Sequence, residues 1–227
     1  MILQIETATT SCSVALANRG QVLAFKEIDQ RNIHAEVITV YIDEILAQSN
    51  VAYADLDAIA VSCGPGSYTG LRIGVSTAKG LCFALDKPLI SVETLAAMAT
   101  GVVAGNAIES DLLLCPMIDA RRMEVYTAIF NQAGRIVKPT AAEIIDANSF
   151  ADILSENKVL FFGDGADKCK EALSDNPNAQ FLPGFANSAK HLTQIALAKF
   201  NRADFVDVAY FEPYYLKDFI AGKKAGA

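Results

Sequence analysis

The sequence predicts an α/β protein built from two copies of one unit, each a mixed sheet flanked by helices, and two observations carry that reading. A strand ending in an acid, an alternating strand, a glycine turn and a third strand occur at residues 2–28 and again at 112–138. Glu6 precedes Gly20 by 14 positions and Asp119 precedes Gly134 by 15, so each acid closes a first strand and each glycine turns a hairpin. After each meander the chain alternates again as helix, strand and helix, the order that builds layered α/β folds. With 227 residues, 52% of them hydrophobic, the chain can bury a substantial core.

In the first copy, residues 2–7 (ILQIET) read as a buried strand, and 13–17 and 22–28 as its antiparallel partners through the Asn18-Arg19-Gly20 turn. A helix follows over 32–49. Residues 57–63 (DAIAVSC) form a short apolar run bounded by turn residues, which is the pattern of a strand covered on both faces. The next helix spans about 70–85, then a strand 88–92 and a helix 93–103. Polar residues 105–111 read as a linker, dividing an N-terminal lobe (1–104) from a C-terminal lobe (105–220). The second copy gives strands 112–118, 123–130 and 135–138, a helix 148–156, a strand 158–162 and helices 166–174 and 188–201, with a final segment 213–217 (PYYLK). Residues 221–227 (AGKKAGA) have no apolar side chain larger than alanine and read as a flexible tail.

The stretch from Ser62 to Gly80 holds the densest signal. Gly64, Pro65 and Gly66 stop the strand, and Ser67 or Thr69 can cap the helix that follows. A strand, a glycine turn and a helix N-terminus form a plausible anion site, because free N–H groups and the helix dipole point above the turn. The stretch is neither a P-loop nor a full Gly-x-Gly-x-x-Gly, and a tight strand-to-helix connection is the favoured reading over an anion site.

The net charge is -7 and no basic stripe with interleaved aromatics is present, so the chain lacks the footprint of a protein that grips nucleic acid by itself. Five scattered cysteines, an odd number in mostly apolar segments, suit reduced thiols. The start of the chain has no basic n-region, and no apolar run reaches membrane-spanning length, so a cytoplasmic protein without membrane contact is expected.

Local motifs for catalysis are absent. His34 and His191 stand apart on separate predicted helices, with no zinc or calcium spacing around them, and no metal or cofactor is expected. Ser67 lies in Gly-Pro-Gly-Ser-Tyr rather than a nucleophile elbow, and a helix cap is its simpler role. Glu6 and Asp119 end the first strands of the two copies, where each is either a carboxylate at the mouth of a cleft or a solvated strand end. Arg121 and Arg122 follow Asp119 and could pair with an anion or simply stay wet.

Two helices look apolar almost all round. On the helix beginning near Ile33, apolar residues cover well over half the circumference and leave a wedge of Glu36, Thr39 and Asp43. On helix 70–85, Gly70, Gly74 and Ala78 make a small-residue line while Leu71, Ile73, Val75, Leu81, Phe83 and Leu85 spread around the rest. Both helices read as buried on two sides, one of them in an interface.

The pieces Ile5-Glu-Thr-Ala-Thr9, Gly64-Pro-Gly-Ser-Tyr-Thr-Gly-Leu-Arg-Ile-Gly74, Asp119-Ala-Arg-Arg122 and Pro213-Tyr-Tyr-Leu-Lys217 resemble the TsaB (YeaZ) family, and they span nearly the whole chain. The glycine motif is shared with the catalytic TsaD paralogues. The resemblance implies a duplicated actin-like ATPase fold, the sugar kinase, Hsp70 and actin fold. It also implies a non-catalytic dimerisation subunit of the machinery that makes threonylcarbamoyladenosine beside the tRNA anticodon. That subunit binds TsaD, supports the P-loop ATPase TsaE and meets tRNA only through the complex. Where the catalytic paralogue carries its His-x-x-x-His metal pair, this chain has Thr94 and Met98, neither an imidazole. The implied partner interface is Ile38, Ile42 and Ile45 with Leu71, Gly74, Val75, Ala78 and Leu81, through which two copies pair when TsaD is absent. Glu6, Thr7, Gly64, Gly66 and Ser67 would be a vestigial nucleotide site. The competing reading is a nucleotide-dependent kinase or hydrolase of the same superfamily, using Glu6 and Thr7 with the glycine turn around phosphate.

Overall fold

The computed structural model describes residues 1–105 and 108–217. The expected tail at 221–227 and part of the expected linker lie outside those residues.

In the first lobe β1 (Ile2–Glu6) pairs antiparallel with β2 (Ser11–Asn18), and β2 with β3 (Gln21–Asp29). After α1 (His34–Gln48), β4 (Ala58–Gly64) returns parallel to β1; α2 (Tyr68–Leu85) then leads to β5 (Leu89–Glu93), parallel to β4. Every residue of β1 and β4 is buried, as a strand covered by helices on both faces requires.

After α3 (Thr94–Gly105) the same plan repeats with β6 (Leu113–Asp119), β7 (Glu124–Phe130), β8 (Ile136–Ile144), α4 (Ala151–Leu154), β9 (Val159–Phe162), α5 (Ala166–Leu173) and β10 (Ala179–Leu182). Spatial order is β3-β2-β1-β4-β5 in one sheet and β8-β7-β6-β9-β10 in the other. The strands correspond one to one in order and direction, so the duplication read from two hairpins extends over both sheets.

Three elements differ from expectation. The helix expected over 148–156 is a single turn, because Asp146 and Ser149 bond each other's local backbone and Phe150 takes a left-handed φ of 61° just before it. The helix expected from 188 begins as a 3₁₀ turn at Ala189–Leu192 and becomes α6 (Thr193–Asn201) only afterwards. Strand β10 was not legible: all four of its side chains are half-buried, so it carries no alternation.

The lobes are interlocked by their last helices. Leu95, Met98, Ala99 and Val102 of α3 pack with Leu114, Ile118, Ala128 and Phe162 of the second sheet. In return Leu192 and Ala196, in the 3₁₀ turn and α6, cover Ile2, Ala58, Ala60, Ile90 and Val92 of the first.

The residues expected to form an interface on α1 and α2 lie mostly inside this chain. Ile38, Ile42, Ile45, Leu71, Gly74, Val75 and Ala78 are all buried within this chain, and Leu81 is half-buried. With Leu3, Ile5, Val14 and Val61 most of them form the core of the first lobe, because each helix turns these residues onto the sheet and toward the other helix. The opposite faces are open. On α1 they show Glu36, Thr39, Val40, Asp43 and Glu44, and on α2 Arg72, Ser76, Gly80 and Phe83.

Candidate functional site

The glycine turn between β4 and α2 is filled by the chain itself. At Gly64 φ is +118°, a conformation L side chains avoid, and a Cβ there would stand 2.5 Å from the Tyr214 carbonyl oxygen. Side chains at Gly66 and Gly70 would collide with the Ala8 and Thr7 carbonyls, and one at Gly74 with the Thr7 hydroxyl. The Ser67 N–H donates to Ala8 O at 2.6 Å, and Ser67 Oγ accepts from Gly70 N at 3.2 Å as the helix cap. Of the residues expected to form a vestigial nucleotide site, the structure therefore brings Thr7, Gly64, Gly66 and Ser67 together, as a packed junction between the β1–β2 turn and α2.

Glu6 faces inward. It is 1% exposed and accepts hydrogen bonds from Ala8 N at 2.6 Å and Ser62 Oγ at 2.9 Å. Burial pushes its carboxyl up to about 7, against the lowering effect of those bonds. Asp119, its counterpart, lies at the surface in an ion pair with Lys168 and accepts from Arg121 N at 2.9 Å. Burial works to raise this carboxyl, but the Lys168 ammonium, the Arg121 N–H and the Arg31 charge hold it below the usual range. The two strand-end acids thus have different surroundings, one internal and one wet. Arg121 and Arg122 are exposed with left-handed φ values of 70° and 48°.

The duplication reaches the glycine turn as well, a feature that Gly163-Asp164-Gly165 could have signalled in the sequence. Gly163 closes β9 with φ +103°, and a Cβ on Gly165 would stand 2.9 Å from the Ile118 carbonyl carbon. In the position of Pro65 stands Asp164, whose Oδ1 accepts from Asp119 N at 3.0 Å. Burial and the Asp119 charge raise its carboxyl despite that bond and Lys168.

Between the lobes remains a cleft of ≈ 50 Å³, lined by Thr9, Thr10, Ser11, Asp29, Asp164, Phe185, Ala186 and Asn187. Ligand pockets for drug-sized molecules run to roughly 300–1,000 Å³, so this cleft has no room for a nucleotide. His34 is buried behind Thr9, with Nε2 3.0 Å from Thr9 O. His191 is stacked on Phe185, and burial, with the Lys190 charge, pushes it down to about 4. Thr94 and Met98 are both engaged in packing and bonding: Thr94 Oγ1 accepts from Gly64 N at 3.1 Å, and Met98 is buried beside Gly163. Among the described residues no cluster of three or more His, Cys, Asp or Glu side chains is arranged to hold a metal.

The C-terminal segment crosses α2 on the outside. Val206 N donates to Leu89 O at 3.0 Å, Lys79 Nζ donates to Phe211 O at 2.9 Å, Tyr214 N donates to Cys63 O at 2.7 Å, and Lys217 pairs with Glu124 of the second lobe. A groove of ≈ 350 Å³ remains between segment and helix, with Arg72, Ser76, Lys79, Glu212 and Tyr215 on its walls. Farther along α2, Phe83 is 86% exposed, and on α1 Val40 is 49% exposed. Single exposed apolar residues are ordinary, but Phe83 follows Ser76, Lys79 and Gly80 on the polar side of α2, a spacing readable in the sequence.

A family model described as TsaD, tRNA N6-adenosine threonylcarbamoyltransferase, matches residues 27–223. The tRNA threonylcarbamoyladenosine biosynthesis protein TsaB of Escherichia coli (strain K12) is 34% identical over 98% of this chain and 97% of its own length. The solved structure of YeaZ from Pseudomonas aeruginosa superposes with a TM-score of 0.83 at 27% identity, over 95% of this chain and 99% of that one. The activator of the 2-hydroxyisocaproyl-CoA dehydratase from Clostridium difficile, solved with bound ADPNP, shares the fold alone, at 10% identity and a TM-score of 0.52. With its two matching sheets, this chain has the duplicated actin-like fold and belongs to the TsaB (YeaZ) family of tRNA threonylcarbamoyladenosine biosynthesis proteins.

Proposed function

We propose that this chain is a non-catalytic subunit of the tRNA threonylcarbamoyladenosine machinery, working in the cytoplasm by binding the transferase TsaD and supporting the ATPase TsaE. The observation that carries the reading is the contrast between its two candidate surfaces. The interlobe cleft holds only ≈ 50 Å³, and Glu6 at the end of β1 is buried and bonded internally, whereas α1 and α2 offer Val40 and Phe83 to solvent. An exposed aromatic side chain such as Phe83, on a helix whose Ile73 and Leu81 are half-buried, is a fitting anchor for a helix-on-helix interface. The partner surface proposed is therefore the outer side of α1 and α2, with Ile38, Ile42, Ile45, Leu71, Gly74, Val75 and Ala78 supporting it from beneath. Without TsaD, two copies pair through the same side, and tRNA is met only through the complex.

Co-purification from cells expressing this chain and its cognate TsaD tests the proposal. The unmodified chain is expected to retain TsaD; Phe83→Asp combined with Val40→Asp is expected to lose it while melting at the same temperature. Intact capture by the doubly substituted chain would sink this surface. Light scattering over a dilution series checks the self-pairing, which a constant mass at all concentrations would refute. Calorimetry with ATP and magnesium separates this reading from the kinase or hydrolase alternative, which requires binding with turnover.

A further inference from the structure

We propose that the groove between α2 and the C-terminal segment receives an acidic stretch of the transferase partner, one of whose carboxylates pairs with Arg72. This rests on the partner reading above. It adds to that reading a second wall, contributed by residues 211–215, and a charge that selects what docks. The groove has a volume of ≈ 350 Å³, within the roughly 300–1,000 Å³ of ligand clefts. One of its walls is the side of α2 where Arg72, Ser76 and Lys79 follow one another at helical spacing and lead on to Gly80 and Phe83. The groove is therefore continuous with the surface offered to the partner.

Arg72 is prepared for an anion. Its guanidinium lies over the Tyr68 ring, 4.6 Å from the centroid, and Tyr68 packs in turn against Tyr215 at 4.9 Å. Stacking on an aromatic face holds the plane of a guanidinium and leaves its edge N–H groups free to meet a carboxylate two at a time. Among the described residues Arg72 has no ion pair, and the Ser76 hydroxyl, one turn further along, makes no hydrogen bond. Glu212, on the facing wall, forms an ion pair with neither Arg72 nor Lys79. Lys79 donates to the Ala209 and Phe211 carbonyls at 3.2 and 2.9 Å, which fixes the second wall without neutralising the ammonium.

The balance of charge decides the occupant. One uncommitted guanidinium suits a single carboxylate, whereas a phosphate group with two negative charges would also meet Glu212 as a like charge. Phe211 and Pro213 add apolar surface that accommodates the neighbouring side chains of a peptide. A second copy of this chain has less to offer: on the outer side of α1, Asp43 already accepts from Tyr53 at 2.6 Å and Glu44 is paired with Lys26.

Calorimetric titration of the full chain with purified cognate transferase, at about 50 mM and about 500 mM potassium chloride, tests the proposal. Arg72→Glu is expected to weaken binding at least about tenfold at low salt, and Arg72→Gln to lose much of the parent's salt dependence. Both variants should melt within a degree or two of the parent. Binding by Arg72→Glu as tight as the parent's, while Phe83→Asp with Val40→Asp loses the partner, would overturn the groove and leave the wider surface standing. Undiminished binding by every variant would remove both. A benzophenone side chain installed at position 76 gives a readout that does not depend on a loss of affinity: a cross-link to a transferase peptide, with Asp or Glu next to the point of attachment, is expected. Attachment to a peptide without such an acid, or to a second copy of this chain, would overturn the proposal. So would saturable binding of inorganic phosphate to the chain alone that Arg72→Glu abolishes.

Discussion

Gly74 on α2 lies so close to Thr7 at the end of β1 that a methyl group on the glycine would overlap the threonine hydroxyl oxygen. Thr7 is wholly buried and its hydroxyl has no hydrogen-bond partner, so it has no room to turn away. Gly74→Ala is predicted to cost about 1–3 kcal/mol, the usual penalty of overpacking. Thr7→Ala in the same chain should recover much of the loss by removing the overlapping oxygen. Gly80→Ala, six residues along the same helix with nothing within 4 Å, should instead stabilise by about 0.5–1 kcal/mol. Urea denaturation midpoints measure all of these, and a Gly74→Ala chain as stable as the parent would disprove the packing account.

Glu6 gives the fold a pH dependence of known sign. Its carboxyl titrates near 7 when folded and near 4.5 when unfolded. Below the unfolded value both states are protonated and this contribution to stability is fully present. Between the two values only the unfolded state ionises, so stability falls as pH rises, by about 3 kcal/mol in all. Glu6→Gln keeps an oxygen to accept from Ala8 N and Ser62 Oγ but cannot ionise. The difference in unfolding free energy between the variant and the parent should therefore grow from pH 5 to pH 8, and a constant difference would count against it.

Substitutions on the two sides of α2 should separate folding from binding. Val75 is 3% exposed, so Val75→Glu buries an unpaired charge and is predicted to cost more than about 3 kcal/mol. Phe83→Asp changes a side chain that is already in water and should leave the thermal midpoint within a degree or two of the parent. Differential scanning calorimetry distinguishes them, and equal destabilisation by both would contradict the burial assigned to α2.

The C-terminal segment depends on Lys79. Lys79→Met keeps the apolar stem but removes the donor to the Ala209 and Phe211 carbonyls. Hydrogen exchange at the Tyr214 amide, which is bonded to Cys63 O, should accelerate by on the order of tenfold. Unchanged protection there would mean that the ion pair of Lys217 with Glu124 suffices to hold the segment.

The sheets were legible because their central strands are apolar runs ended by acids and glycines, and because the pattern occurs twice. The outer strand β10 was not, since four half-buried residues carry no period. The helices were found, but the burial of Ile38, Ile42, Ile45, Leu71 and Val75 inside the chain was not legible. Periodicity reports how many sides of a helix are apolar, not whether elements of the same chain cover the second side, as the shared core of α1, α2 and the first sheet does here. The glycine turn was read at the right residues, yet its occupants, the Thr7 and Ala8 carbonyls and Tyr214, come from distant parts of the chain. The same holds for the groove beside α2, where Arg72 is joined by Glu212 and Tyr215 from the far end of the chain.

The exchange of terminal helices between the lobes sets an order of events during synthesis. Ile2, Ala58, Ala60, Ile90 and Val92 belong to strands that leave the ribosome early, but the residues that cover them, Leu192 and Ala196, emerge about a hundred residues after β5. Until then that face of the first sheet has only Ala97 of α3 packed against it, so the nascent first half exposes apolar surface of the kind that chaperones bind.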